Sequence, residues 1–259
     1  MSVETIHRWH DGRLVQLDYC DMSSTVLEVA DSWFVHDGTA LALGLHRDRF
    51  LASMNPDAGA ATGADAFWDA AIAAIPREGD WFPRVELQNR GGARQLVFRL
   101  RSAPERTNSV VVTALRDDPR TVPGIKGPDL ETMLRIRTEI QPTGAGEAVI
   151  LANGGFVVDG AYSGLLWWRG EILCGPPAEF ERVDSVTVRS VLGLAKALGV
   201  ETYGEPVTPA ELDGTELWSL NALHGIRIVT RWVDGPGLAQ KPGRLATWRA
   251  RMDALRKPF

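Results

Sequence analysis

Lysine is nearly absent from this chain of 259 residues: there are four, Lys126, Lys196, Lys241 and Lys257, against 24 arginines. Cysteine is scarcer still, with Cys20 and Cys174 alone. Neither belongs to a CxxC pair or a His/Cys cluster, which argues against a zinc site and for a reducing cytosol. The five histidines show no HExxH or similar ligand spacing. No apolar run approaches the roughly 20 residues of a membrane span, and the opening MSVETIHRWHDG has no apolar core of signal-peptide type. Positive charge is not in excess: the net charge of −5 implies no basic nucleic-acid surface. There is no GxSxG elbow and no phosphate loop, and no internal repeat or low-complexity tract. These absences lead us to expect a cytoplasmic protein with a small-molecule partner and no nucleic-acid, membrane or metal partner. A bound organic cofactor stays open.

What is present is an ordinary globular composition, 44% hydrophobic and 24% charged, in a chain long enough for one large or two small domains. Nine tryptophans are unusual. Trp167, Trp168, Trp218, Trp232 and Trp248 fall in the second half, where large aromatics suit core or dimer-interface anchors.

The first half reads as strand, helix, then strand. Residues 9–16 hold a hairpin signal, HDGR. Residues 25–34 suit a strand or a helix start, and 41–53 approach helical spacing. Residues 65–75 are a helix with Phe67, Ala70, Ala71 and Ala74 on one face and Pro76 as its stop. Residues 84–87, 95–101 and 109–115 read as strands, with Leu96, Phe98 and Leu100 alternating at a period of two.

Residues 117–128, DDPRTVPGIKGP, then carry three prolines and two glycines, the composition of an interdomain connector. We therefore expect an N-terminal α/β domain over 1–117, a connector over 118–128 that carries Lys126, and a C-terminal domain over 129–259. Pro128 is expected to open a helix with Leu130, Met133, Leu134 and Arg137 on its stripe. Hairpins follow, turning at Asn153-Gly154 and Arg169-Gly170. A helix over 186–198, lined by Val188, Val191, Leu192, Ala195 and Leu198, is capped by Gly199. Residues 208–211, TPAE, form a capping box. Strands at 216–220 and 226–232 and a terminal helix over 245–255 complete the chain.

Lys126 stands out because arginine supplies surface charge equally well but stays protonated and cannot form a Schiff base. A desolvated lysine amine can attack a carbonyl; a solvated loop lysine is the plainer reading. The decision rests on what accompanies it: HRDRF at 46–50, IKGPD at 125–129, GEAVIL at 146–151, FVVDG at 156–160, VDSVTVR at 183–189 and LNALHG at 220–225.

This ordered set, running from about Leu27 onward, resembles the class IV aminotransferases of pyridoxal phosphate (PLP) fold type IV, which include branched-chain aminotransferase, D-amino-acid aminotransferase and aminodeoxychorismate lyase. The resemblance implies an α+β, two-domain fold of the D-amino-acid aminotransferase type, with a small α/β N-terminal domain and a larger C-terminal pseudo-barrel, assembled as a homodimer. It implies PLP bound at Lys126 as a Schiff base. Asp159 would sit beside the ring nitrogen, Val186 and Thr187 would offer N–H groups and a hydroxyl to the phosphate, the Asn221-Ala222 backbone would close round it, and Arg49 would pair with it in bidentate fashion. Tyr162, Arg94 and His224 are candidates for the substrate, with Arg84 and Arg90 as further carboxylate partners. Each residue taken alone has an ordinary explanation: a surface arginine, a helix-start hydroxyl, a turn aspartate, a core tyrosine.

The chain departs from the family pattern where Asp159 replaces Glu, Ser185 replaces Gly, Val188 replaces Arg and Gly164 replaces Asn or Ser. The function expected is a PLP-dependent enzyme acting on an amino acid or amino-substituted carboxylate. The alternatives are an aminodeoxychorismate lyase releasing pyruvate, a non-catalytic relative of the fold, and, last, an α/β enzyme of another type.

Overall fold

The computed structural model describes residues 4–17, 25–54, 63–115 and 117–259; Cys20 lies outside them. The chain divides into two compact units. One comprises Met1–Glu105, Ile125–Pro128 and Leu255–Phe259; the other comprises Arg106–Gly124 and Asp129–Ala254. The segment read as a connector is thus shared, with Lys126 belonging to the first unit.

The first unit is built on β1 (Glu4–His10), β2 (Arg13–Gln16), β3 (Thr25–Ser32), β4 (Val35–His36), β5 (Thr39–Ala40), α1 (Leu43–Ser53), α2 (Ala64–Ala73), β6 (Asp80–Trp81), β7 (Arg84–Arg90) and β8 (Ala93–Arg101). Its main sheet has the order β2-β1-β8-β7-β3 and is antiparallel throughout. Asp11-Gly12, at φ 49° and 76°, and Gly91-Gly92, at 59° and 88°, supply the paired left-handed conformations that match the strand twist in tight hairpins. The period of two is realised: Val85, Leu87, Leu96, Phe98 and Leu100 join Phe50, Phe67, Trp68 and Trp33 in one core. The alternate side chains, among them Glu86, Gln88 and Arg99, are linked by hydrogen bonds. A smaller sheet pairs β4 with β5 and β6, and a terminal strand, Lys257–Pro258, with β5.

The second unit contains β9 (Ser109–Ala114), α3 (Leu130–Ile140), β10 (Glu147–Leu151), β11 (Val157–Gly160), β12 (Gly164–Arg169), β13 (Ile172–Gly175), α4 (Val186–Ala197), β14 (Thr202–Gly204), β15 (Glu216–Asn221), β16 (Gly225–Val233) and α5 (Arg244–Asp253). Its eight-stranded sheet, β11-β10-β9-β16-β15-β12-β13-β14, curls into a half-barrel. The fold is α+β, as the resemblance implied.

Several local expectations are corrected. α3 starts at Leu130 with Asp129 as its cap residue and buries Met133, Ile136 and Ile140, while Leu134 is 57% exposed. The apolar row of this helix is therefore i, i+3, i+7 from Met133. Asn153-Gly154 does not make a two-residue turn: Ala152 N donates to Phe156 O, so Asn153, Gly154 and Gly155 form a three-residue loop. In the next hairpin Arg169 pairs with Ile172, which shifts the turn by one residue to Gly170-Glu171. Leu198 is 43% exposed, outside the buried face of α4. The capping box at Thr208 is present with both of its halves, on a short 3-10 helix, Pro209–Leu212.

The tryptophans of the second half are core residues. Trp167, Trp168, Trp218, Trp232 and Trp248 are all buried within the chain, and Trp168, Trp218 and Trp248 meet edge to face at 5.4–5.6 Å. They offer no surface to a second subunit.

Candidate active site

In the first unit, Lys126 is held by its backbone. Its carbonyl accepts from Ala30 N at 2.7 Å. The next residue, Gly127, has φ +138°, and a Cβ there would lie 2.8 Å from Ala30 N and 2.9 Å from Val29 C. Only glycine allows β3 and the loop to approach so closely.

One residue along β3, Asp31 is fully buried and bonds both motif residues of α1. Its Oδ1 accepts from His46 Nδ1 at 2.8 Å, and Arg49 donates Nε to Oδ2 and Nη2 to Oδ1, each at 2.8 Å. Burial pushes the Asp31 carboxyl up, but His46 and Arg49 outweigh it and hold the group well below the usual range. Burial, with the charges of Arg49 and Lys126, keeps His46 neutral. The Nε/Nη2 edge of Arg49 is thus taken by Asp31, so bidentate pairing with a phosphate would have to use its other edge. Arg94 is bonded to Glu28 at 2.6 Å, and Arg84 is paired with Glu86.

In the second unit, the Asp129 carboxylate accepts from Thr121 N, Thr121 Oγ1 and Val122 N at 2.7–3.0 Å. Asp159, on β11, is 7% exposed and lines a cavity of about 510 Å3 with Gly164, Arg182, Ser185, Val188 and Tyr203. Its Oδ1 accepts from Gly160 N at 3.1 Å, and its Oδ2 lies 3.7 Å from Arg120 Nη1, beyond hydrogen-bond reach. That Nη1 is buried without an acceptor. Burial, only partly offset by Arg120 and Arg182, pushes the Asp159 carboxyl up to about 7.

The helix start behaves as its sequence suggests. Ser185 caps α4, accepting from Val188 N at 3.3 Å. The first helical bond runs from Arg189 N to Ser185 O, which leaves the N–H groups of Val186 and Thr187 ahead of the helical ladder, where anions are favoured. Asn221 ends β15, and its Oδ1 accepts from His224 N at 2.8 Å, bracing the turn that contains Ala222.

The structure groups Lys126 and Arg49 in one unit. It groups Asp159, Val186, Thr187, Asn221, Ala222, Tyr162 and His224 in the other. Sequence reasoning missed Asp31, Arg120, Glu147 and Arg227. Glu147 is a charge opening an otherwise apolar strand, EAVIL, and that misfit was the available signal. It accepts from Tyr162 N at 3.1 Å and Ser163 Oγ at 3.0 Å while 2% exposed.

A family model, amino-transferase class IV, matches residues 28–232. The chain belongs to the class IV aminotransferases. It is thereby an enzyme of a PLP-dependent family that acts on small amino substrates. Solved structures share the fold of this class IV chain at low identity. The fold IV transaminase CpuTA1 from Curtobacterium pusillum is 17% identical over 97% of each chain, with a TM-score of 0.80. A hypothetical aminotransferase from Mycobacterium tuberculosis, in its PLP-bound form, is 18% identical over 98% of each chain, at 0.76. The branched-chain aminotransferase from Escherichia coli is 15% identical over 97% of this chain and 94% of its own, at 0.78. A search of curated proteins finds no match. Among the described residues no helix is long and apolar enough to cross a membrane, and no group of three His, Cys, Asp or Glu could hold a metal ion.

Proposed function

We propose that this class IV enzyme binds PLP through Lys126 and acts on an amino acid or amino-substituted carboxylate. The observation that carries the reading is Asp159: a buried carboxylate that lines a cavity, with Arg120 Nη1 held beyond hydrogen-bond reach at 3.7 Å, is suited to meet a cationic ring nitrogen. The residues fit the group in kind. Lys126 offers the amine, Asp159 the carboxylate, and Val186, Thr187, the Asn221-Ala222 backbone and Arg49 offer donors to a phosphate.

Bound there, PLP supplies an aldehyde for a substrate amine and an electron-accepting ring. Asp159 would hold a proton at the ring nitrogen of the bound group. The Lys126 amine would serve as general base toward the substrate Cα proton. Where that proton would go next separates a transaminase from a lyase. Asp31 and His46 hold Arg49 in place. A homodimer in the cytoplasm accords with the family.

Saturating the purified protein with PLP, reducing with borohydride and mapping peptides tests this. Label on Lys126 is expected; its absence refutes the proposal. Parallel assays with amino acids plus 2-oxoglutarate or pyruvate, and with aminodeoxychorismate, separate the transaminase from the lyase.

A further inference from the structure

Four arginines from different parts of the second unit converge near the 221–225 turn. Arg106, ahead of β9, and Arg249, on α5, donate to the His224 carbonyl at 3.4 and 2.9 Å. Thr107 N donates to His224 Nδ1 at 3.1 Å, which leaves the imidazole proton on Nε2. Burial and the charges of Arg227, Arg106, Arg137 and Arg249 push His224 down to about 4, so the ring stays neutral in a positive field.

Arg227, on β16, is 6% exposed. Its Nη2 donates to Ser219 Oγ at 3.1 Å and lies 3.5 Å from Glu147 Oε2, yet its Nε is buried with no acceptor. The Tyr162 hydroxyl is also buried with no acceptor. Tyr162 joins Arg227 through Glu147, to which its N donates, and the Arg137 guanidinium stands 5.9 Å from its ring centre. Glu147 balances the charge poorly, because burial pushes its carboxyl up against the pull of Arg227. Buried donors in native proteins find acceptors. An acceptor-only, negatively charged, planar group would suit such donors beside arginines, which describes a carboxylate.

We propose that Tyr162, Arg137 and Arg227, with Arg106, Arg249 and His224 on the adjoining turn, form an anion site that takes a carboxylate of the amino substrate. The identity of that ligand rests on the function proposed above; the site itself does not.

Sodium succinate is the probe, since it has neither an amine nor a carbonyl to react at Lys126. It is titrated calorimetrically into the full chain as wild type, Tyr162→Phe and Arg137→Gln. The wild type is expected to bind succinate and not the neutral diamide, and each variant to bind about tenfold more weakly, the cost of one charge-assisted hydrogen bond. Without ligand, Tyr162→Phe is expected to melt no lower than wild type, because the lost hydroxyl has no protein partner. The site is overturned by any of three results: no succinate binding by wild type, unchanged affinity in both variants, or inorganic phosphate binding where succinate does not. In turnover, Arg137→Gln is expected to raise KM with kcat held. An effect on glutamate and alanine alike assigns the site to the α-carboxylate; one confined to glutamate assigns it to the distal carboxylate. Lys126 labelling without succinate binding overturns this site and leaves the function standing; succinate binding without label does the reverse.

Discussion

Replacing Asp159 by Asn probes the buried carboxyl directly. The unfolded chain releases this proton near 3.8 and the folded chain near 7. Between those values the folded form holds more protons, so stability falls as pH rises through the window and levels off above it. A displacement of about three pH units at 1.36 kcal/mol each amounts to about 4 kcal/mol lost by pH 8. Asp159→Asn keeps the shape and never ionises. Cofactor-free Asp159→Asn should therefore match wild type near pH 4 and exceed it by up to about 4 kcal/mol at pH 8, while binding PLP more weakly. Urea melts across pH 4–8, with the cofactor removed, measure the difference. Parallel stability–pH curves for the two proteins would refute the reasoning, because the carboxyl would then ionise at its ordinary value.

Gly127→Ala should cost about 3 kcal/mol, since the backbone atoms of Ala30 and Val29 that the new Cβ meets cannot yield; urea melts read the loss, and faster exchange of the Ala30 amide would locate it. Asp31→Asn should cost about 3–5 kcal/mol at neutral pH by leaving Arg49 without its buried counterion. In wild type that contribution persists above the ordinary carboxylate range and is lost only as pH falls well below it; a variant as stable as wild type at pH 7 would count against the pairing. Gly164→Ala should cost about 1–3 kcal/mol, because its Cβ would lie 2.5 Å from Val188 Cγ2, and adding Val188→Ala should recover most of it in a double-mutant cycle.

Much of the fold was legible because local chemistry decides it. Asp11-Gly12 and Gly91-Gly92 permit few conformations besides a tight turn, and the Leu96-Phe98-Leu100 alternation leaves one face for the core. The stripe on α3 was misread because Leu134 is as apolar as its neighbours; only packing against Ala148 and Ile150 selects Met133, Ile136 and Ile140. The tryptophans were legible as anchors but not as anchors of what, since composition does not say whether a ring meets its own chain or another. For the proposed site, the motif order singled out Lys126, Asp159 and the α4 start. The partners that tune them escaped because they are distant in sequence. Arg227 lies 80 residues from Glu147, and Arg120 was hidden among the prolines and glycines that marked the loop as punctuation.

The departures from the family pattern at 164, 185 and 188 belong together. A Cβ on Gly164 would meet Val188 Cγ2 at 2.5 Å and Ser185 Cβ and Oγ at 3.5 and 3.6 Å. The volume absent at 164 is therefore filled from the loop that precedes and begins α4. Ser185, where the pattern has glycine, also caps the helix, replacing backbone freedom with a fixed start. A larger side chain at 164 or a smaller one at 188 would leave a clash or a void at this contact, and a core penalises both. The three residues instead close on one another beside the Asp159 cavity. A single return to the pattern, such as asparagine at 164, would break a fit that the other two positions now depend on. Gly164, Ser185 and Val188 thus act as one packed unit, in which no one position can change alone.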